Sequence, residues 1–250
     1  MGLATVFARA TEHPARRFKY FDVAIAAFIP ILLISNLVGG KITAIGPFRV
    51  SGAQILFPIT YIFGDIFTEV YGYAGSRRAI WYGFFASALL SIVAMIIVAL
   101  PPAPEWTGQP AFQYVFGMVP RMVAASLIAY WAGEFANSFV MAKLKVLTNG
   151  RMLWVRTIGS TAVGQLVDSV VIMTLAFAGR ESWSTIINLI LSGYTAKVLY
   201  EAAATPLTYL VVNGLKRAEG VDVFDVHTNF SPFAKGDAGE QFRDVGERAA

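Results

Sequence analysis

Two carboxylates, Asp65 and Glu69, stand one helical turn apart inside the apolar run GAQILFPITYIFGDIFTEVYG. An ionised acid in hydrocarbon is costly, so such residues face a cavity, a partner or a substrate. Three further acids, Glu134, Asp168 and Glu201, and two bases, Arg121 and Lys197, also lie within apolar stretches. Two bases cannot neutralise five acids, and a surplus of acid suits a cationic or donor-rich ligand. Asp65, Glu134, Asp168 and Lys197 sit roughly 11 to 13 residues into their stretches, about 17–20 Å from one end. The competing reading of Lys197 is an internal ion pair with Asp168 or Glu201. Glu69 lies nearer the end of its stretch, where Arg77 or Arg78 would pair with it. Arg121 follows Pro120 at a span end and can snorkel to headgroups.

Neutral polar groups share faces with these charges. Gln165 and Asp168 are three apart, as are Glu134 and Asn137, while Lys197 and Glu201 are four apart. Asn36 lies near the end of the first stretch. Asn and Gln in spans also serve as interhelical glue. Phe57, Tyr61, Phe63 and Trp131 offer stacking faces for a planar ligand, with ordinary packing as the alternative. Pro30, Pro58 and Pro206 interrupt three stretches and free carbonyls that line a cavity or a hinge.

The elements that must carry these residues are set by composition. The chain has 250 residues, 56% hydrophobic and 14% charged, with mean hydropathy +0.58. Soluble domains average about 25% charged residues, so the deficit points to a bilayer. Six stretches are long enough to cross about 30 Å of hydrocarbon: 21–38, 52–71, 79–100, 120–141, 155–178 and 186–212. The expected fold is all-α and integral to the membrane, with six transmembrane helices. Residues 1–216 form one domain with an N-terminal arm, and 217–250 form a partly disordered tail. Within that tail, 221–233 keeps three phenylalanines and is read as either docked or flexible, whereas 234–250 is expected to be disordered. No cleaved signal peptide is expected at Arg9–Lys19.

Lys and Arg gather in the N-terminal arm, at Arg77 and Arg78, between Lys143 and Arg156, and from Lys216 onward. The opposite connections hold only Lys41, Arg49 and Arg180. The positive-inside rule then makes both termini cytoplasmic. Trp106, Trp154 and Trp183 fall near span ends, where indoles favour the interface. Gly64 with Glu69 and Gly164 with Asp168 echo one another across the halves, as an inverted repeat or by chance.

Several chemistries are excluded. Cysteine is absent, which removes disulfides, thiolate catalysis and cysteine metal sites. His13 and His227 lie outside every apolar run. No Walker loop, dinucleotide fingerprint or H-E-x-x-H occurs. An intramembrane aspartyl protease built on Asp65 and Asp168 would resemble Tyr-Asp plus Gly-x-Gly-Asp. Here Ile62 occupies the first Gly position and Val167 precedes Asp168. No enzyme activity, cofactor or metal is expected, and the net charge of +4 reflects loops rather than a nucleic-acid partner.

The segments NLVGGKIT (36–43), GAQILFPITYIFGDIFTEVYGYAGSRRAIW (52–81), RTIGSTAVGQLVDSVVI (156–172) and KVLYEAAATPLTY (197–209) resemble the queuosine precursor transporter family. The resemblance runs from about Phe21 to Phe233. It implies a bacterial inner-membrane, multi-pass importer of 7-cyano-7-deazaguanine and 7-aminomethyl-7-deazaguanine for tRNA-modification salvage. It also implies a fold similar to the substrate-binding subunits of energy-coupling-factor vitamin importers, working without their ATPase module. On this reading Asp65, Glu69 and Asp168 contact the deazapurine's donors, Gln165 and Asn36 orient it, and Lys197 reaches its carbonyl or holds the acids, with Glu201 beside it. The alternative is a substrate-binding subunit that needs a separate ATPase module. Those subunits dock through small-x-x-x-small on the first span, whereas here Ala24 is followed by Phe28. The lipid bilayer is the other partner, and a homodimer is one option for assembly.

Overall fold

The computed structural model describes residues 18–38, 41–45, 48–51, 56–117, 120–179, 181–234 and 241–244. Arg9, His13, Arg16, Arg17, the Gly39–Gly40 pair, Arg180 and most of 234–250 lie outside them, as do the side chains of Phe57, Pro58, Tyr61 and Arg121. Helices dominate: α1 (Phe21–Val38), α2 (Phe57–Ala99), α3 (Gln109–Phe116), α4 (Pro120–Leu147), α5 (Leu153–Phe177) and α6 (Trp183–Glu219). Two short antiparallel hairpins join them. One pairs β1 (Ile42–Ile45) with β2 (Phe48–Ser51), and the other pairs β3 (Val221–Phe224) with β4 (Gln241–Asp244).

The helix α2 is not a rod. Gly72 has φ 74° and ψ 175°, a conformation that essentially only glycine adopts without strain. On a straight helix Phe67 and Gly83 would stand about 24 Å apart. Both nevertheless meet Phe28 of α1. The Phe28 and Phe67 rings are 5.4 Å apart, and a Cβ at Gly83 would lie 3.3 Å from Phe28 Cε1. Thr68 and Ser76 likewise both reach the Ser138 hydroxyl of α4, at 3.2 and 2.6 Å. The chain therefore doubles back at Gly72, with one arm over 57–71 and the other over 73–99. That division matches the two separate stretches expected at 52–71 and 79–100.

Helix starts differ from the expected limits for local reasons. The stretch from 52 begins its helix only at Phe57, after the β1–β2 hairpin. Pro58 occupies the first turn, where a missing N–H costs nothing, so it starts the helix and does not kink it. Pro30 and Pro206 do lie inside helices. The connection that follows α2 contains α3. At the other end of α6, Gly220 (φ 68°) closes the helix by donating to Lys216 O at 2.9 Å.

Packing separates two kinds of surface. Phe21, Phe28, Ile66, Phe67, Tyr71 and Val212 form a buried cluster joining α1, α2 and α6. Phe85, Leu89, Ile92 and Ile96 follow helical spacing along the second arm and are all exposed. By length and composition, Phe21–Val38, Ile62–Ala99 and Leu153–Phe177 suit a membrane crossing. The chain is a membrane protein on that evidence. The helices α4 and α6 are less apolar because they carry Glu134, Lys197 and Glu201.

Residues 221–233 dock on the helix ends. Tyr73 N–H, the first free donor of the second arm, points at both carboxylate oxygens of Asp225 at 3.1 Å. Tyr73 Oη donates to Phe230 O at 2.8 Å, Arg77 to Asn229 O at 3.2 Å and Trp81 Nε1 to Pro232 O at 2.9 Å. The strand at Gln241–Asp244 corrects the expectation of disorder there, because β3 supplies a pairing edge. Replacing Gly72 with Ala forces a Cβ into that backbone conformation. The Gly72→Ala protein is expected to lose about 1–3 kcal/mol of stability, read as a lower thermal midpoint of the detergent-purified protein.

Candidate functional site

Glu69 and Asp65 share one helix face and meet opposite fates. Glu69 is fully buried at the meeting point of four helices. Arg156 of α5 grips it bidentately, Nη2 to Oε1 at 2.7 Å and Nε to Oε2 at 3.1 Å. Lys216 of α6 donates to Oε1 at 2.5 Å, and Lys145 of α4 donates to the Glu69 carbonyl at 2.5 Å. Asp222 of β3 completes the group, 2.8 Å from Lys145 and 2.9 Å from Lys216.

The expectation that Glu69 pairs with Arg77 or Arg78 is corrected by this geometry. Arg77 bonds Asn229 and lies over the Tyr73 ring, while Arg78 lies over the Phe21 ring. With three cations on its carboxylate, Glu69 is committed to holding helix ends together and is not an open acceptor for a ligand.

One turn away the balance reverses. Asp65 is 1% and Glu201 0% exposed, and the two carboxyls face one another across α2 and α6. Among the described residues, Asp65 Oδ2 and both Glu201 carboxylate oxygens have no hydrogen-bond donor. The Glu134 carboxylate on α4 adds its charge to both Asp65 and Glu201. Asn137, one turn further along α4, is buried with its Oδ1 unpartnered. Glu134 Oε2 and Asn137 Nδ2 both converge on Gly64, 3.5 and 3.9 Å from where its Cβ would be.

Lys197 bonds Asp168 at 2.6 Å, and both side chains stay partly exposed, at 26% and 21%. The internal-pair reading of those two residues is thus realised. Gln165, on the same face of α5, is also partly buried. Asn36 is exposed on α1 and donates to Ser87 at 3.4 Å, so it braces the second arm of α2 instead of joining the acids.

Two glycines let α4 and α5 approach closely enough to build this set. A Cβ at Gly133 would stand 2.8 Å from Asp168 Cβ, and one at Gly164 would stand 2.6 Å from Asn137 Cβ. Each glycine therefore faces the polar residue one turn beyond the other, the small-residue contact typical of membrane helices. Residues missing from the sequence-based site are Glu134 and Asn137, whose three-residue spacing was the available signal.

The family model described as "Putative vitamin uptake transporter" matches residues 51–211, a span holding every acid of this set. A protein of Bacillus subtilis (strain 168) named "Probable queuosine precursor transporter" is 28% identical over 157 residues, 62% of this chain and 69% of that protein. The "Queuosine precursor transporter" of Escherichia coli (strain K12) is 24% identical over 163 residues, 65% of this chain and 71% of that protein. No solved structure matches the chain.

The two acids make opposite predictions. Glu69→Gln leaves the buried cations short of a counter-charge and is expected to cost about 3–5 kcal/mol. Asp65→Asn replaces a buried carboxyl whose Oδ2 has no donor among the described residues, and its stability is expected to equal or exceed that of the native protein. Thermal unfolding of the two purified variants checks both.

Proposed function

Because the chain belongs to the vitamin uptake transporter family, we propose that it imports the deazaguanine precursors of queuosine, 7-cyano-7-deazaguanine and 7-aminomethyl-7-deazaguanine. The observation that carries this reading is an excess of buried acid: among the described residues Asp65 Oδ2 and both Glu201 carboxylate oxygens have no donor, Glu134 adds its charge to both, and Lys197 beside Glu134 is held by Asp168. A deazaguanine presents N–H donors on its Watson–Crick edge, which carboxylates accept well. The aminomethyl form adds a cation that uses the surplus acid. The names of the two relatives support the same substrate class.

The partly exposed rim meets the ligand first. Asp168, Glu134 and Gln165 accept its donors, and Lys197 swings from Asp168 to the purine carbonyl. Asn137 Oδ1 is a further acceptor. Asp65 and Glu201 are covered and lie behind the rim. This assignment moves Glu69 and Asn36 out of the binding role expected of them, for the reasons of geometry given above.

For the membrane arrangement, the proposal is six crossings: α1, the two arms of α2, α4, α5 and α6. Residues 1–216 then make one transmembrane domain and 217–250 a cytoplasmic tail, with both termini on the cytoplasmic side of a bacterial inner membrane. Lys145, Arg156 and Lys216, which the positive-inside count assigns to one side, meet in a single cluster, and Arg77 contacts the tail at the same end. On the first span Ala24 is followed four residues later by Phe28, a large ring buried against Phe63 and Phe67, so this position does not present the small-x-x-x-small docking pattern. That favours solitary action over the binding-subunit alternative.

Thermal stabilisation of the purified protein tests the substrate class. At a hundredfold excess over Kd a bound deazaguanine is expected to add about 2.7 kcal/mol. Guanine is expected to add much less, and Asp168→Asn to abolish the effect. An equal response to guanine would redirect the assignment. Uptake into vesicles holding this chain alone distinguishes the importer from the ATPase-dependent subunit.

A further inference from the structure

We propose that the Asp65–Glu201 pair is a proton site that moves with the substrate, so that import is driven by a proton gradient. This rests on the transport reading above and goes beyond it by naming a second cargo. The two carboxyls lie close enough to bond. Two carboxylates cannot, because neither has a hydrogen to donate, so the contact exists only when the pair holds a proton. Both residues are at least 99% buried, and three of their four carboxyl oxygens have no other donor among the described residues.

Among the described residues no base is ion-paired to either carboxyl of the pair. On α2 itself the next titratable group is Glu69, whose charge is taken by Arg156, Lys216 and Lys145. The helix α4 presents Glu134 and Tyr130, α5 presents Asp168, and α6 presents Lys197, which is held by Asp168 at 2.6 Å. Of the other elements packed on α2, α1 has Asp22 in its first turn as its one acid, β3 has Asp222, which is held by Lys145 and Lys216, and α3 has no acid or base. A proton is therefore the smallest charge that settles the pair. A metal ion would need several more oxygens, and no group of three or more His, Cys, Asp or Glu among the described residues could hold one.

Coupling follows from position. Glu134 is linked electrostatically to Asp65, to Glu201 and to the Asp168–Lys197 pair. When a donor-rich base draws Lys197 from Asp168, the negative charge felt at Glu134 and at the pair changes, so ligand and proton occupancy depend on one another. In the transport step the pair takes a proton from the outer water and releases it to the cytoplasm, with no bond other than O–H made or broken.

Two measurements test this on the full chain. The first is infrared difference spectroscopy of purified native protein against Glu201→Gln and Asp65→Asn at neutral pH, without substrate. A protonated-carboxyl band is expected in the native protein and lost in both variants. Its absence from the native protein, or its survival in both variants, overturns the proposal. The second uses voltage-clamped proteoliposomes, labelled 7-cyano-7-deazaguanine and a trapped pH dye. Acid outside is expected to raise accumulation several-fold and to give substrate-evoked internal acidification. Entry that ignores the pH gradient, or that follows a sodium gradient instead, overturns the proton site and leaves the substrate reading standing. Failure of both deazaguanines to shift thermal stability strikes the substrate reading, while the infrared band still decides the proton site.

Discussion

Everything in this molecule is hung on one buried carboxylate. Glu69 gathers Arg156, Lys216 and Lys145 from three helices, and Asp222 ties the strand after α6 into the same group. Burying so many charges is expensive, and the cost is offset only when the set is complete and each donor is placed. That requirement makes the cluster a specifier of geometry more than a source of net stability. It fixes the ends of α2, α4, α5 and α6 relative to one another. Glu219 extends the same logic to α1, accepting the Lys19 and Tyr20 N–H groups at 2.9 and 2.8 Å.

A helix clamped at one end positions whatever lies a turn beyond the clamp. Asp65 is four residues from Glu69, on the same face, so the cluster that neutralises Glu69 also sets where Asp65 stands. The two acids thus divide the labour of one helix face. One is saturated with cations and provides rigidity, while the other meets Glu201 and is left with chemistry to perform. The close α4–α5 crossing through Gly133 and Gly164 does the same for Glu134, Asn137 and Asp168.

Much of the helical layout is legible in the sequence because hydropathy and span length report it directly. The break between the arms of α2 was visible as polar residues near Arg77 and Arg78, although only φ at Gly72 shows that one residue makes the turn. Asp65, Asp168 and Lys197 stood out because their types are rare at such depth. Glu69 was misread for a simple reason: nearness in sequence offered Arg77 and Arg78, whereas the real partners come from residues 76 to 147 positions away. Arg156 and Lys145 looked like loop charge, since their burial depends on packing that no local pattern encodes. The β1–β2 hairpin and the strand at Gln241–Asp244 are too short to leave a periodic signal.

The Gly72 reversal has a mechanical side. A turn made by a single residue contains no slack, so the two arms of α2 behave like meshed gears and not like two rods on a cord. The first arm bears Asp65 and Glu69. The second carries Phe85, Leu89, Ile92 and Ile96 outward along its length. A lipid-facing stripe and the helix face where the acids sit are therefore joined by a single residue. The residue that lets one helix make two arms thus also fixes how the apolar outer stripe is placed relative to Asp65.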